Sequence, residues 1–113
     1  MKDLIEKIKV WFAMRKADKE LDEAIHKAWE LCERNDRRYY VLPDTGHHLT
    51  VLSWSDIKML MHQGVFNRFV KESDFIKECF YFTPKKVTDP VIRPEAETRK
   101  RKEWRRYYRA YRI

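Results

Sequence analysis

Between Lys2 and Arg34 apolar side chains return every three or four positions, as Leu4, Ile8 and Trp11 and then as Leu21, Ala24, Ile25, Ala28 and Cys32. That period lines one side of a helix and commits nearly the first third of the chain to helical structure. The stripe is interrupted at Arg15, Lys16 and Asp18. A carboxylate there suits an N-cap, so the segment is one long helix or two joined near Lys16. Asn35 and Asp36 end it.

A different grammar follows. Arg38 to Leu42 and His48 to Leu52 are runs of aromatic and β-branched residues on either side of Pro43-Asp44-Thr45-Gly46, which predicts a β-hairpin. Two strands are marginal in water, so the hairpin must lay a face on neighbouring helices. Ser53 or Ser55 then opens a short helix carrying Ile57, Leu60 and Met61, closed by Gly64. Ser73 repeats the signal for a helix over 74–82 that stops before Pro84. Val65 to Val70 between them reads as a loop or a brief third strand.

With 113 residues, 43% hydrophobic, and only two glycines and four prolines, there is room for one domain with a modest core. Its expected members are Leu21, Ile25, Ala28, Tyr40, Leu42, Leu49, Val51, Ile57, Leu60, Phe75 and Cys79.

Charge divides the chain unevenly. Residues 93–113 hold nine of the 25 basic side chains and three of the 18 acidic ones, a net +6 that leaves only +1 for the rest. Lys85 to Arg93, with Pro84, Pro90 and Pro94 in or beside it, reads as an extended tether. Pro94 suits the first position of a final helix. In that helix Trp104, Tyr107, Tyr108 and Tyr111 share one face, with Arg99, Lys100, Arg101, Lys102, Arg105, Arg106, Arg109 and Arg112 around most of the remainder.

The expected fold is thus α+β: a helix-rich small domain with one two-stranded hairpin over 1–84, a tether over 85–93, and a detached basic-aromatic helical arm over 94–113. The arm is the strongest functional signal. Aromatic anchors with guanidiniums around them suit docking onto a protein, through Arg101, Trp104, Arg105, Arg106, Tyr107, Tyr108, Arg109, Tyr111 and Arg112. The same residues suit phosphate neutralisation and base stacking on nucleic acid. A second candidate interface is the first helix, where Trp11, Phe12 and Met14, with Ile5 and Val10, cover more circumference than one buried stripe needs.

Catalytic chemistry finds little support. The serines sit at helix starts, Cys32 and Cys79 lie on apolar stripes, and the glycines are isolated, so no nucleophile with an orienting base and no phosphate-cradling loop is visible. His26, His47, His48 and His62 lack metal-ligand spacing with one another or with the cysteines, and His47-His48 reads as a pair of exposed turn residues. No catalytic, cofactor or metal residue is expected, and the chain is read as non-enzymatic. Met1 to Val10 is charged and carries no apolar signal core, and no apolar run approaches bilayer length. The expected setting is cytoplasmic, with a larger protein assembly as partner, nucleic acid as the other candidate, and neither a membrane nor a small-molecule substrate.

Tyr39-Tyr40-Val41-Leu42-Pro43-Asp44-Thr45-Gly46, then Leu49-Thr50-Val51-Leu52-Ser53-Trp54-Ser55-Asp56-Ile57-Lys58, and finally Phe80-Tyr81-Phe82-Thr83-Pro84 resemble small proteins of tailed phages and related mobile elements of gut bacteria. The resemblance covers residues 38–84 and contains no catalytic signature. It implies an accessory structural role in a phage particle or its assembly machinery, in the virion or the host cytoplasm.

Overall fold

A computed structural model of the chain describes residues 2–64 and 71–113; the loop or strand expected over Val65 to Val70 lies outside them. The first helix, α1 (Lys2–Asn35), is continuous. No glycine or proline interrupts it, and Asp18 is not a cap but a helical residue whose carboxylate is engaged elsewhere. Asp36, at φ 53°, turns the chain out of the helix, its N–H donating to the Cys32 carbonyl at 2.8 Å. At about 1.5 Å per residue a 34-residue helix is as long as the molecule's 51 Å principal axis.

The hairpin pairs β1 (Tyr39–Pro43) with β2 (Leu49–Ser53), Tyr39 opposite Ser53 and Pro43 opposite Leu49. Asp44 builds the turn: its Oδ1 accepts from the N–H groups of Gly46 at 2.8 Å and His48 at 3.0 Å, and His47 takes the left-handed conformation at φ 61°. The next helix, α2 (Trp54–His62), begins at Ser53, whose Oγ accepts from the Asp56 N–H while Asp56 accepts from the Ser53 N–H. Such a reciprocal box satisfies two otherwise orphaned donors. Gly64 follows α2 at φ 80°, a conformation glycine adopts without a Cβ penalty.

The helix expected over 74–82 is shorter and starts earlier. It is α3 (Glu72–Glu78), and Ser73 lies inside its first turn, where Asp74 accepts from the Lys71 N–H at 2.9 Å. The chain leaves α3 because β1 still offers unpaired backbone. Phe80 N–H donates to the Val41 carbonyl, Thr83 N–H to the Tyr39 carbonyl, and Tyr81–Phe82 form β3. Among the described residues the sheet therefore has three antiparallel strands in the order β2-β1-β3.

Both faces of β1 are apolar, so alternation sends Tyr39 and Val41 one way and Tyr40 and Leu42 the other. Among the described residues two apolar clusters result where one modest core is expected. On one face Tyr39, Val41, Phe80 and Tyr81 pack on Ala17, Leu21, Ala24, Ala28 and Cys32 of α1. On the other, Tyr40 and Leu42 meet Ile57 and Met61 of α2 with Phe75 and Cys79. The expected core members Ile25, Leu49, Val51 and Leu60 are only half-buried.

The last helix, α4 (Pro94–Arg112), forms as expected but is not detached. It lies against α1, with Trp104 fully buried and Tyr108 nearly so in the first cluster. Residues 85–93 carry neither helix nor strand, and Ile92, at their end, is buried in that same cluster. An aromatic face wide enough to anchor a partner is equally wide enough to close the chain's own core, and α1 offers the nearest apolar surface.

Candidate docking surface

The structure divides the basic residues of α4 into two sets. Arg105 forks onto Asp18 with both contacts at 2.8 Å, Arg101 reaches Asp22 at 2.5 Å and Asp18 at 3.6 Å, and Arg112 pairs with Glu20. These three guanidiniums, expected to meet a partner, are held by carboxylates of α1. The hydrogen bonds from Arg105, with the charges of Arg105 and Arg101, hold the Asp18 carboxyl below its ordinary range against a smaller opposing effect of burial. Arg99, Lys102, Arg106 and Arg109 are exposed. They stand at i, i+3, i+7 and i+10, a single row along the helix.

Of the aromatic residues of α4, Trp104, Tyr107 and Tyr108 are turned inward, whereas Tyr111, also expected to meet a partner, is exposed. Trp104 Nε1–H donates to the Ala17 carbonyl at 2.8 Å, and its ring meets Phe80 edge-on at 5.1 Å. Tyr107 is half-buried and its hydroxyl shares a 2.7 Å hydrogen bond with His47 Nδ1. His47 also stacks on Tyr111 at 4.5 Å with 12° between the planes. His48 faces Glu20 at 3.3 Å. The two turn histidines are thus contacts between the hairpin and the helices, and His47 is only partly exposed.

Lys100, expected among the cations around the aromatic face, is only 4% exposed. Its Nζ donates to the carbonyls of Ile76 at 2.7 Å, Lys77 at 3.0 Å and Cys79 at 2.8 Å. It closes the C-terminal end of α3, where carbonyls lack helical partners. The signal for it lay in the spacing, since Lys100, Trp104 and Tyr108 are at i, i+4 and i+8.

The apolar residues of α1 also divide. At about 100° of turn per residue, Leu4, Ile8 and Trp11 are more than a third of a turn out of phase with Leu21, Ala24 and Ala28. They do not continue the buried stripe. Leu4 is 60% exposed, Trp11 54% and Phe12 53%, and Ile5 and Ile8 are about half exposed. Met14, grouped with Trp11 and Phe12 by sequence, instead packs against the first cluster with Ala13. Trp11 and Phe12 touch edge-on at 4.9 Å, and the Arg15 guanidinium lies 4.8 Å over the Trp11 ring. Arg109 of α4 shares a recess with Asp3, Glu6, Lys7 and Val10, on the side of α1 turned away from this apolar run.

Cys32 and Cys79 are buried, whereas His26 and His62 are exposed. Burial pushes the Cys79 thiol up to about 11, against a smaller opposing effect of Lys100. Among the described residues no group of three or more His, Cys, Asp or Glu is placed to hold a metal ion, and no helix is long and apolar enough to cross a membrane. Comparison with protein-family models, with curated proteins and with solved structures finds no match to this chain.

Proposed function

We propose that this protein is a non-enzymatic accessory component that attaches to a larger assembly through the first turns of α1. The observation that carries this reading is the exposed run Leu4, Ile5, Ile8, Trp11 and Phe12. A contiguous apolar patch of several hundred Å² is the mark of an interaction surface on a small protein. Trp104 and Tyr108 of α4, first in line for this role by sequence, are buried inside the chain, which leaves α1 as the anchoring element. An accessory role in a phage particle or its assembly, implied by the resemblance over 38–84, suits a small docking protein of this kind.

Size-exclusion chromatography of a native lysate tests the reading. Wild-type protein is expected in a high-molecular-weight fraction and the Ile8→Glu/Trp11→Ser variant at the monomer position. Co-migration of both at the monomer position, or of both in the large fraction, overturns it.

The row Arg99, Lys102, Arg106 and Arg109 favours a second reading, contact with nucleic acid mainly through phosphates, since Trp104 and Tyr108 are buried and the exposed Tyr111 ring is already stacked on His47. Four such contacts on duplex DNA would give a salt slope of about −3.6 in log affinity against log salt. A slope near zero, or one unchanged by Arg106→Glu/Arg109→Glu, removes this reading.

A further inference from the structure

The apolar run on α1 can be given a partner of definite chemistry, an inference that rests on the proposed docking role of that surface. Its five side chains cover about a third of the helix circumference over little more than two turns, at about 100° per residue. Each is about half exposed. At roughly 150–250 Å² for each large aromatic ring, the uncovered apolar surface amounts to several hundred Å².

The charges around it are sorted. On the helical wheel Lys7 lies just beyond the Trp11 edge of the run, Lys9 and Lys16 just beyond the Ile5 edge, and Arg15 at its end. The two carboxylates of these first turns, Asp3 and Glu6, point to the far side, where they line the recess with Lys7, Val10 and Arg109. The surface is therefore an apolar ridge with a cationic rim. Within that rim the only polar atom of the five apolar side chains is the indole nitrogen of Trp11.

We propose that this ridge seats in the surface of an anionic lipid bilayer, with the five apolar side chains below the headgroups and the surrounding lysines and arginines at headgroup level. A helix with tryptophan, phenylalanine and aliphatic residues on one face and lysines flanking them has the composition of an interfacial helix. Tryptophan suits that boundary, having one polar atom on a large apolar ring. Long basic side chains reach outward from it to the phosphates.

Competing occupants fit less well. A second copy across a two-fold axis would set the same cationic rims against one another in a protein already at +7. Nucleic acid would leave the five apolar groups against a phosphate backbone. A protein groove would need acidic walls around an apolar floor, whereas a bilayer with acidic headgroups supplies both and deforms around a convex ridge. Surface seating needs no spanning helix, so the short apolar runs that exclude a span do not exclude it. Further along the same face of α1, among Lys19 and His26, stand Asp22, which is paired with Arg101, and Glu23, Glu30 and Glu33. Their charge would lift that half off the surface and leave α1 tilted with its first turns down.

Flotation of the full-length protein with lipid vesicles tests this. Vesicles of phosphatidylcholine containing a quarter phosphatidylglycerol are expected to bind at least about tenfold more protein than phosphatidylcholine alone, since each basic residue near an anionic surface contributes attraction. High salt should reduce that preference. Ile8→Glu/Trp11→Ser, with an unchanged circular dichroism spectrum, should lose binding at least tenfold, and brominated lipid should quench wild-type emission more than that of Trp11→Phe. No preference for the acidic vesicles, binding indifferent to the double variant, or a dimer in sedimentation equilibrium that the double variant dissolves would each overturn the lipid assignment. If the lysate experiment still shows a large assembly lost on the same double substitution, the docking role stands and the lipid assignment alone fails.

Discussion

Lys100 shows how much one side chain can organise when its charge is buried. Three carbonyls at the end of α3 converge on its ammonium within 3.0 Å, and a neutral side chain there would leave them without a donor. Lys100→Met is therefore expected to lower unfolding free energy by about 2–4 kcal/mol in urea titration. Lys102→Met, on the exposed side of the same helix, should stay within about 0.5 kcal/mol. Lys100→Arg should not rescue, because a planar guanidinium cannot point three donors into a pocket shaped for an ammonium. Equal effects at 100 and 102 would show that the carbonyls do not depend on this group. The Asp18 carboxyl makes a weaker, pH-dependent contribution. Its folded-state pKa lies below the ordinary 3.8, so its stabilisation is complete above that value and is lost as pH falls through the folded-state pKa. Because Arg105 is partly exposed, the difference between wild type and Asp18→Asn should be only about 0.5–1 kcal/mol at neutral pH, shrinking towards zero in acid. A difference that grows below pH 4 would contradict the pairing.

Elements were legible where their signals are local. The Ser53–Asp56 box, the Asp44 turn and the left-handed Gly64 are written within a few residues, and the helices and hairpin they delimit are where the sequence puts them. What escaped was decided between elements. The strand Tyr81–Phe82 is two residues long and exists because β1 has an open edge. The position of α4 was hidden for a related reason: a helix with aromatic residues on one face and arginines on the other reads the same whether it covers a partner or its own α1. Acidic residues on α1, at 18, 20 and 22, were the available clue, since they match Arg105, Arg112 and Arg101. Because α4 supplies Trp104 and Tyr108 to the first cluster, it is part of the fold rather than an appendage. Removal of residues 93–113 should abolish cooperative unfolding, as Trp104→Ala alone is expected to cost about 3–5 kcal/mol from a total of about 5–15 kcal/mol for a domain. A truncated protein that kept its melting temperature and a sharp transition would restore the picture of a separable arm.

The molecule as a whole is a long helix with its mass gathered on the C-terminal two-thirds. From Ala17 to Cys32 α1 is covered by the sheet and α4, whereas Lys2 to Lys9 are exposed throughout. Helical hydrogen bonds in those first turns are thus supported by propagation from the packed part more than by burial, since short unsupported helices are marginal in water. Opening of that end should cost far less than global unfolding. Hydrogen exchange is expected to show a gradient along one uninterrupted helix: amides near Ile5 to Phe12 exchanging fast, those from Leu21 to Cys32 exchanging only with global opening. Vesicles containing phosphatidylglycerol should slow exchange in the first group alone, because the bilayer adds the burial that the fold omits there. Protection along Arg99 to Arg109 on adding DNA, with α1 unchanged, would instead locate the ligand on the cationic row. Uniform protection along α1 in the free protein would mean that its first turns need no external support, and the case for an anchoring end would lose its energetic basis.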